Sequence, residues 1–299
     1  MMKRSKSDAV FDGMNVAVMA VLLVLMLYPL YYIVIASVSE PYAVATGKIF
    51  LRPVGFTMEA YQNVFENQRI WTGYRNTVFY TIFGTVLNLA LTIPTAYVLS
   101  KKQLPARNLF AWYFLIPMYF SGGLIPTYLL VCDLHLLNTA YTIVVLGGLS
   151  IYNMVVTRTY FSNSIPGELY ESAKIDGATE FTNFFQIALP LAAPILAVMA
   201  LYYGVARWND YYTAMIYLSS SDRQPLQMVL RDILLQNQNA LVAAENLSDE
   251  EMELMARRAY MAEAMKYAVI FIASAPLLCA YPFVQKYFVK GMMIGSLKG

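Results

Sequence analysis

A chain of 299 residues that is 59% hydrophobic and 13% charged, with a positive mean hydropathy, falls outside the soluble globular range and reads as an all-α polytopic membrane protein. A formal net charge of +2, with no run of Lys and Arg interleaved with aromatics, excludes nucleic acid as a partner. Cys132 and Cys279 stand far apart beside apolar runs, as small buried hydrophobes do, and form neither a disulfide framework nor a metal pair.

In chain order, Lys3, Arg4 and Lys6 precede an apolar run over 14–38. A secretory signal has an apolar core of roughly 7 to 15 residues, whereas about 20 cross a bilayer, so this is a first span. Pro29 inside it is tolerated because neighbouring groups can satisfy the freed carbonyl. A charged loop follows, with a helix start at Thr57. A second span covers 76–99 and is closed by Lys101, Lys102 and Arg107. The third, over 109–131, meets Pro117, Gly122, Gly123 and Pro126, and so bends or breaks. Broken backbone at membrane depth persists only where protein or a water-filled cavity surrounds it, which makes Gly122 and Gly123 pathway candidates. Close helix packing would use the same small residues. A turn with Asp133 and His135 leads to a fourth span over 140–157, then a fifth over 189–218 and a sixth over 266–286. His135, a lone loop histidine, is given no role.

Six spans put both termini on one side. The amino terminus, the second connection and the carboxyl end are basic, while the third connection has no Lys or Arg, so the basic side and both termini are cytoplasmic. That orientation also places the stretch 165–194 inside the cell. Pro166 suits a helix start, Glu168 and Glu171 follow where the positive helix end favours acid, and Gly177 breaks the helix before a second short one over 179–188.

This stretch carries Glu171-Ser172-Ala173, then Gly177, Ile187 and Leu189-Pro190. It resembles the E-A-A, three residues, G, nine residues, I-x-L-P signature of the permease subunits of bacterial ATP-binding-cassette importers, with Ser172 replacing an Ala. The surrounding ELYESAKIDGA text and the ending from Phe288 to Gly299 resemble the maltose-type oligosaccharide branch and its LplC-like subgroup. The resemblance spans the chain and implies a single permease domain of the type I importer fold, with six transmembrane helices, in the bacterial plasma membrane. It implies that Glu171, Ser172, Ala173, Asp176, Gly177, Ile187, Leu189 and Pro190 couple to an ATPase. The implied partners are a second, non-identical permease, two ATPase subunits that bind ATP and Mg, and an extracellular or lipid-anchored solute-binding protein. Oligosaccharide is the implied cargo, and membrane lipid surrounds the chain.

The chain offers no ATP site of its own. A P-loop needs G-x-x-x-x-G-K-[ST], but Gly47-Lys48 is followed by Ile49 and preceded by Tyr42 where the first Gly belongs. No hydrolase elbow, zinc-spaced histidines or paired membrane carboxylates occur, so no catalytic residues and no metal or other cofactor are expected in this chain. Arg207, Trp208, Asn209, Asp210 and Tyr211 form the sharpest polar signal in the fifth span. Arg207 and Asp210, three apart, can pair on one helix face. They read as an outer mouth that contacts sugar or gates the path, or as an interfacial aromatic belt with a snorkelling Arg.

Residues 219–265 read as an outer loop with an amphipathic helix near its end. In maltose-type importers the corresponding loop reaches the binding protein, which makes Gln224, Pro225, Gln227, Gln236 and Asn237 candidate contacts. A solvated loop is the plainer reading. An ion-coupled secondary transporter would need membrane-embedded acids, and Asp210 is almost alone in that role. A permease for another solute class shares the same coupling signature.

Overall fold

The computed structural model describes the backbone over residues 6–242 and 249–296, and side chains over 10–233, at 235, over 253–279 and at 282. Helices in chain order are α1 (Lys6–Ser37), α2 (Pro41–Ala45), α3 (Glu59–Glu66), α4 (Gln68–Ser100), α5 (Arg107–Tyr119), α6 (Leu124–Asp133), α7 (Ala140–Val145) and α8 (Ile151–Ser164). They continue as α9 (Gly167–Ile175), α10 (Glu180–Thr182), a π-helical turn (Asn183–Ala188), α11 (Leu189–Leu191), α12 (Ala193–Trp208), α13 (Tyr212–Tyr217), α14 (Leu226–Val242) and α15 (Asp249–Ser296). No strand occurs among the described residues. The outer loop expected over 219–265 is mostly helical, in α14 and the first part of α15.

Among the described residues, three unbroken helices are long and apolar enough to cross a membrane: Val10–Ser37, Gln68–Ser100 and Glu253–Cys279. Two bent pairs qualify when each is taken as one span. These are α5 with α6, bent by 110°, and Glu180–Leu191 with α12, bent by 77°. The expected fourth span is two short helices, α7 and α8, with a break at 146–150. Gly147 at φ +69 turns the chain there, and Asn153, Thr157 and Arg158 lower the apolarity of α8. The sixth span, expected over 266–286, falls within α15, which runs without interruption from Asp249.

The chain divides into two units, Met1–Ile70 with Leu230–Ala275, and Trp71–Val229 with Pro276–Gly299. In the first unit, Tyr28 and Tyr31 donate their hydroxyls to the carbonyls of Phe50 and Leu51, and Tyr32 meets Tyr267 edge-on with centroids 5.6 Å apart. Most of α1 is exposed, an apolar surface suited to lipid or to another apolar chain.

In the second unit, α4 is the common member. Toward its C-terminal end Ile93, Ala96 and Tyr97 pack with Met154, Phe161, Ala188, Ala192 and Met199. In its N-terminal half Tyr80 packs with Ile143, Ala214, Leu218 and Met228. Between membrane helices the gain is close van der Waals contact, which the fully buried Ala96, Ala188 and Ala192 permit. Polar residues occupy the level between the two clusters: Asn88 and Thr92 are completely buried, and Thr92 shares a 2.6 Å hydrogen bond with the Tyr203 hydroxyl.

Gly123 makes the α5–α6 bend possible. Its φ of 87° and ψ of −179° belong to a region that other residues essentially avoid. Its N–H donates to Ser121 Oγ and its carbonyl accepts from Thr127 Oγ1. A Cβ there would meet no atom within 4 Å, so conformation alone sets the cost. Gly123→Ala is expected to destabilise the solubilised protein by about 1–3 kcal/mol, read as a lower thermal midpoint in detergent, while the exposed helical Gly13→Ala leaves the midpoint in place.

Candidate functional site

Two regions of the second unit bring the candidate residues together. The first is the projecting hairpin formed by α9, α10 and the π-helical turn. No residue of α9 is buried: Glu171, Ser172, Lys174, Ile175, Asp176 and Gly177 are exposed, and only Tyr170 and Ala173 are half-buried. The helix ends in a Schellman motif, in which Gly177 N–H donates to Lys174 O at 3.1 Å and Ala178 N–H to Ala173 O at 2.9 Å. This motif needs a left-handed residue, and Gly177 supplies it at φ +81. A Cβ at Gly177 would meet nothing within 4 Å in this chain, so its surroundings are open.

Thr179 then caps the next helix through the Thr182 N–H. Ile187 is half-buried at the far end of the π-helical turn, and Leu189 and Pro190 lead through α11 into the 77° bend. Ile175 and Phe181 are 87% and 78% exposed, a large apolar pair among acids on a surface that the described residues leave uncovered.

The second region is an open cavity of about 570 Å³. Its walls come from α4 (Asn88), α6 (Leu124, Thr127), the break after α7 (Leu146, Gly147, Ser150), α8 (Asn153), α12 (Tyr202, Tyr203, Ala206, Arg207) and the start of α13 (Asp210, Tyr212, Thr213). Of the residues expected at an outer mouth, Arg207 and Asp210 line it, whereas Trp208, Asn209 and Tyr211 do not. Trp208 is 5% exposed and meets Tyr74 edge-on at 5.7 Å, so it belongs to the packed interior and not to an interfacial belt. Gly122 and Gly123 also lie outside the lining, which takes Leu124 and Thr127 from just beyond the bend they make.

Arg207 and Asp210 do not form the pair that their spacing allows. Arg207 Nε donates to Asn88 Oδ1 at 3.0 Å, Nη1 to Ile143 O at 2.6 Å and Nη2 to Val144 O at 3.1 Å. Asp210 Oδ1 accepts the Thr213 N–H at the start of α13. Asn88 completes the brace, its Nδ2 donating to Gly147 O at 2.7 Å and Gly148 O at 2.8 Å. Two side chains from two helices therefore satisfy four carbonyls around the α7–α8 break. The negative end of α7 also favours a cation at that position. Gly84 makes room: a Cβ there would stand 2.9 Å from Arg207 Nε and 3.1 Å from its Cδ.

Sequence reasoning missed Asn88, Gly84, Asn153 and Tyr203. The signal for Asn88 was present, since an amide inside the apolar second span needs a polar partner. The candidate binding-protein contacts need correction. Gln224 and Pro225 are buried, and the Gln224 carbonyl accepts from Asn76 Nδ2 at 3.1 Å, so neither presents a surface. Gln227 is half-buried on α14, and the side chains of Gln236 and Asn237 lie outside the described residues. Just before Gln224, Ser221–Arg223 is exposed, and Arg223 donates to Asn138 O.

Comparison with known proteins gives a consistent picture. Residues 70–294 match the family model described as the binding-protein-dependent transport system inner membrane component. The chain is 37% identical to Protein LplC of Bacillus subtilis over all of this chain and 98% of that protein. It is 33% identical to the polygalacturonan/rhamnogalacturonan transport system permease protein YtcP of the same organism, over 98% of this chain and 99% of that one. The crystal structure of a bacterial ABC transporter involved in the import of the acidic polysaccharide alginate has a matching chain with a TM-score of 0.85 at 33% identity, covering 96% of this chain and all of that one.

Arg207→Met removes three donors at once. Each orphaned buried carbonyl costs about 1–3 kcal/mol, so a marked drop in thermal midpoint is expected in detergent. Arg207→Lys is expected to recover little of it, because one ammonium cannot reproduce the guanidinium fork across three acceptors.

Proposed function

This chain belongs to the family of binding-protein-dependent transport system inner membrane components, and we infer from that premise that it is a permease subunit of an ATP-driven importer for oligosaccharides. The observation that carries the reading is the exposed hairpin, in which a capped helix presents acids and bare apolar side chains on a surface that the described residues do not cover. The sugar class is supported by the relatives, among them the polygalacturonan/rhamnogalacturonan permease and the alginate importer.

In this reading ATP and Mg are bound and hydrolysed by two separate ATPase subunits. The segment of Glu171, Ser172, Ala173, Asp176 and Gly177 docks into a cleft on one of them. Glu171 or Asp176 meets a basic residue there, and Ile175 and Phe181 fill apolar depressions. Ile187, Leu189 and Pro190 connect the docked helix to α12. A second, non-identical permease completes the pathway, and an external binding protein delivers the sugar against the outer surface that includes Ser221–Arg223. Both termini and the hairpin face the cytoplasm.

Closure of the ATPases turns the two permeases from inward-facing to outward-facing. The cavity forms part of the path. Tyr202 and Tyr212 offer ring faces to sugar rings, and Asn153, Asp210 and the remaining Arg207 donors suit hydroxyl groups.

Affinity purification of the tagged chain from native membranes tests the reading directly. A second permease and an ATPase are expected to co-purify, and uptake in liposomes is expected to require ATP. A chain that purifies alone and transports without ATP would overturn it. Within the complex, Gly177→Ala is expected to cost about 1–2 kcal/mol of backbone strain with partial assembly. Gly177→Leu, which adds bulk on the docking face, is expected to abolish ATPase co-purification.

A further inference from the structure

Where the membrane helices meet the coupling hairpin, one ammonium is enclosed by two aromatic rings. Lys101 immediately follows the last residue of α4, and its Nζ lies 3.1 Å from the ring centroid of Tyr170 on α9 and 4.4 Å from that of Tyr97 on α4. The rings are 6.1 Å apart at an interplanar angle of 65°. Tyr97 is 4% exposed and also packs on Phe161 of α8 and Phe184 of the π-helical turn, with centroids 5.6 and 5.0 Å away. The cation is therefore seated against a fixed ring on the membrane side and a ring on the coupling helix.

This is a cation–π contact and not an ion pair, since no carboxylate among the described residues lies within ion-pair distance of Lys101. Burial pulls the Lys101 pKa down from its ordinary value, and Glu180 opposes that by favouring the charged form. Burial, and then Glu180, push the Tyr170 phenol up to about 12, so the ring stays neutral at physiological pH. Tyr170 is one of only two α9 side chains withdrawn from solvent, so this contact is a principal hold between the helix and the rest of the unit.

The rod on the other side of the contact reaches the cavity. α4 is continuous from Gln68 to Ser100. It carries Asn88, bonded to the Gly147 and Gly148 carbonyls and to Arg207, and Thr92, bonded to Tyr203. Asn88 lies about 18 Å from the Ser100 end at 1.5 Å per residue. A displacement of α9 that pulls on Lys101 thus shifts the helix that holds the cavity wall.

We propose that Lys101 is the positioning residue that passes movement of α9 into α4 and the cavity, acting as a cation held between Tyr170 and Tyr97. The proposal rests on the reading of the chain as an ATP-driven permease. It gives the ring, not the phenol hydroxyl, the working role at position 170.

The test uses the full transporter in liposomes, with Cys132 and Cys279 replaced by Ser and Ala206→Cys introduced on the cavity wall. A membrane-impermeant maleimide reports accessibility before and after trapping with ATP and vanadate, and ATP hydrolysis is measured in parallel. In the parent, trapping is expected to change the labelling rate by about fivefold or more. Lys101→Met and Tyr170→Leu are expected to lose that response while ATP is still hydrolysed. Lys101→Arg and Tyr170→Phe are expected to keep it, because each preserves a cation or a ring.

A full response in assembled Tyr170→Leu complexes overturns the proposal, as does loss of the response in Tyr170→Phe. Should Tyr170→Leu fail to assemble while Tyr170→Phe assembles, the ring serves docking and the proposal is also overturned. A parent that shows no ATP-dependent labelling change sinks the permease reading itself, which separates the two failures.

Discussion

A backbone carbonyl at membrane depth has no water to turn to, and the break between α7 and α8 exposes several of them. Arg207 and Asn88 answer that constraint together, each using a side chain from a different helix to hold carbonyls at 143, 144, 147 and 148. The rest of the unit follows from this brace. α7 can end after six residues, α8 can restart after its Ser150 cap, and the gap between them can open onto a cavity with these four carbonyls held. Gly84 is part of the same solution, because any larger residue on that face of α4 would displace the guanidinium.

The second unit then divides its labour between intact and broken helices. The broken ones, α5–α6, α7–α8 and α12–α13, shape the space and supply most of its lining. The intact one, α4, supplies a reference: its C-terminal end packs on α8 and α12, its N-terminal half on α7 and α13, and its middle carries the polar brace. For a contact at Lys101 to reach the cavity, α4 must carry displacement as a body through Pro94, which lies between Lys101 and the brace; a contact on a segmented helix would be absorbed at the nearest bend.

Much of this was legible in the residues. The helical hairpin within 165–194 could be read because its signals are local: Pro166 starts α9, Gly177 ends it through a left-handed turn, and the acids sit where the helix end favours them. The bend at Gly122 and Gly123 was legible for the same reason. The fourth span was less so, since an apolar run over 140–157 reads as one helix unless the Gly147-Gly148 pair is weighed against it. Arg207 and Asp210 were flagged correctly as polar residues that need partners, but spacing suggested they would satisfy each other. Instead Arg207 finds Asn88 and the distant carbonyls of Ile143 and Val144, and Asp210 accepts locally from the Thr213 N–H. Gln224 and Pro225 look like surface loop residues by composition, yet the fold returns them to the interior beside Asn76 and Thr77, where Leu226 N–H meets Thr77 Oγ1. No local signal encodes a contact made across 148 residues.

Under the proposed function, the brace also accounts for how two charged residues could line a sugar path without arresting the sugar. A pathway must attract its solute enough to admit it and weakly enough to release it. Of the five N–H donors of Arg207, three are already committed to Asn88 and to the α7 carbonyls, and the Asp210 carboxylate already accepts from the Thr213 N–H. What remains for a passing hydroxyl is a fixed, partly satisfied donor and a fixed, partly satisfied acceptor, flanked by tyrosine rings that contact sugar faces without strong directionality. Such a surface favours polar rings generally and holds none of them tightly. In that reading, tight discrimination among sugars falls to the binding protein that would deliver them, where retention is useful, and not to the membrane cavity, where it would stop transport.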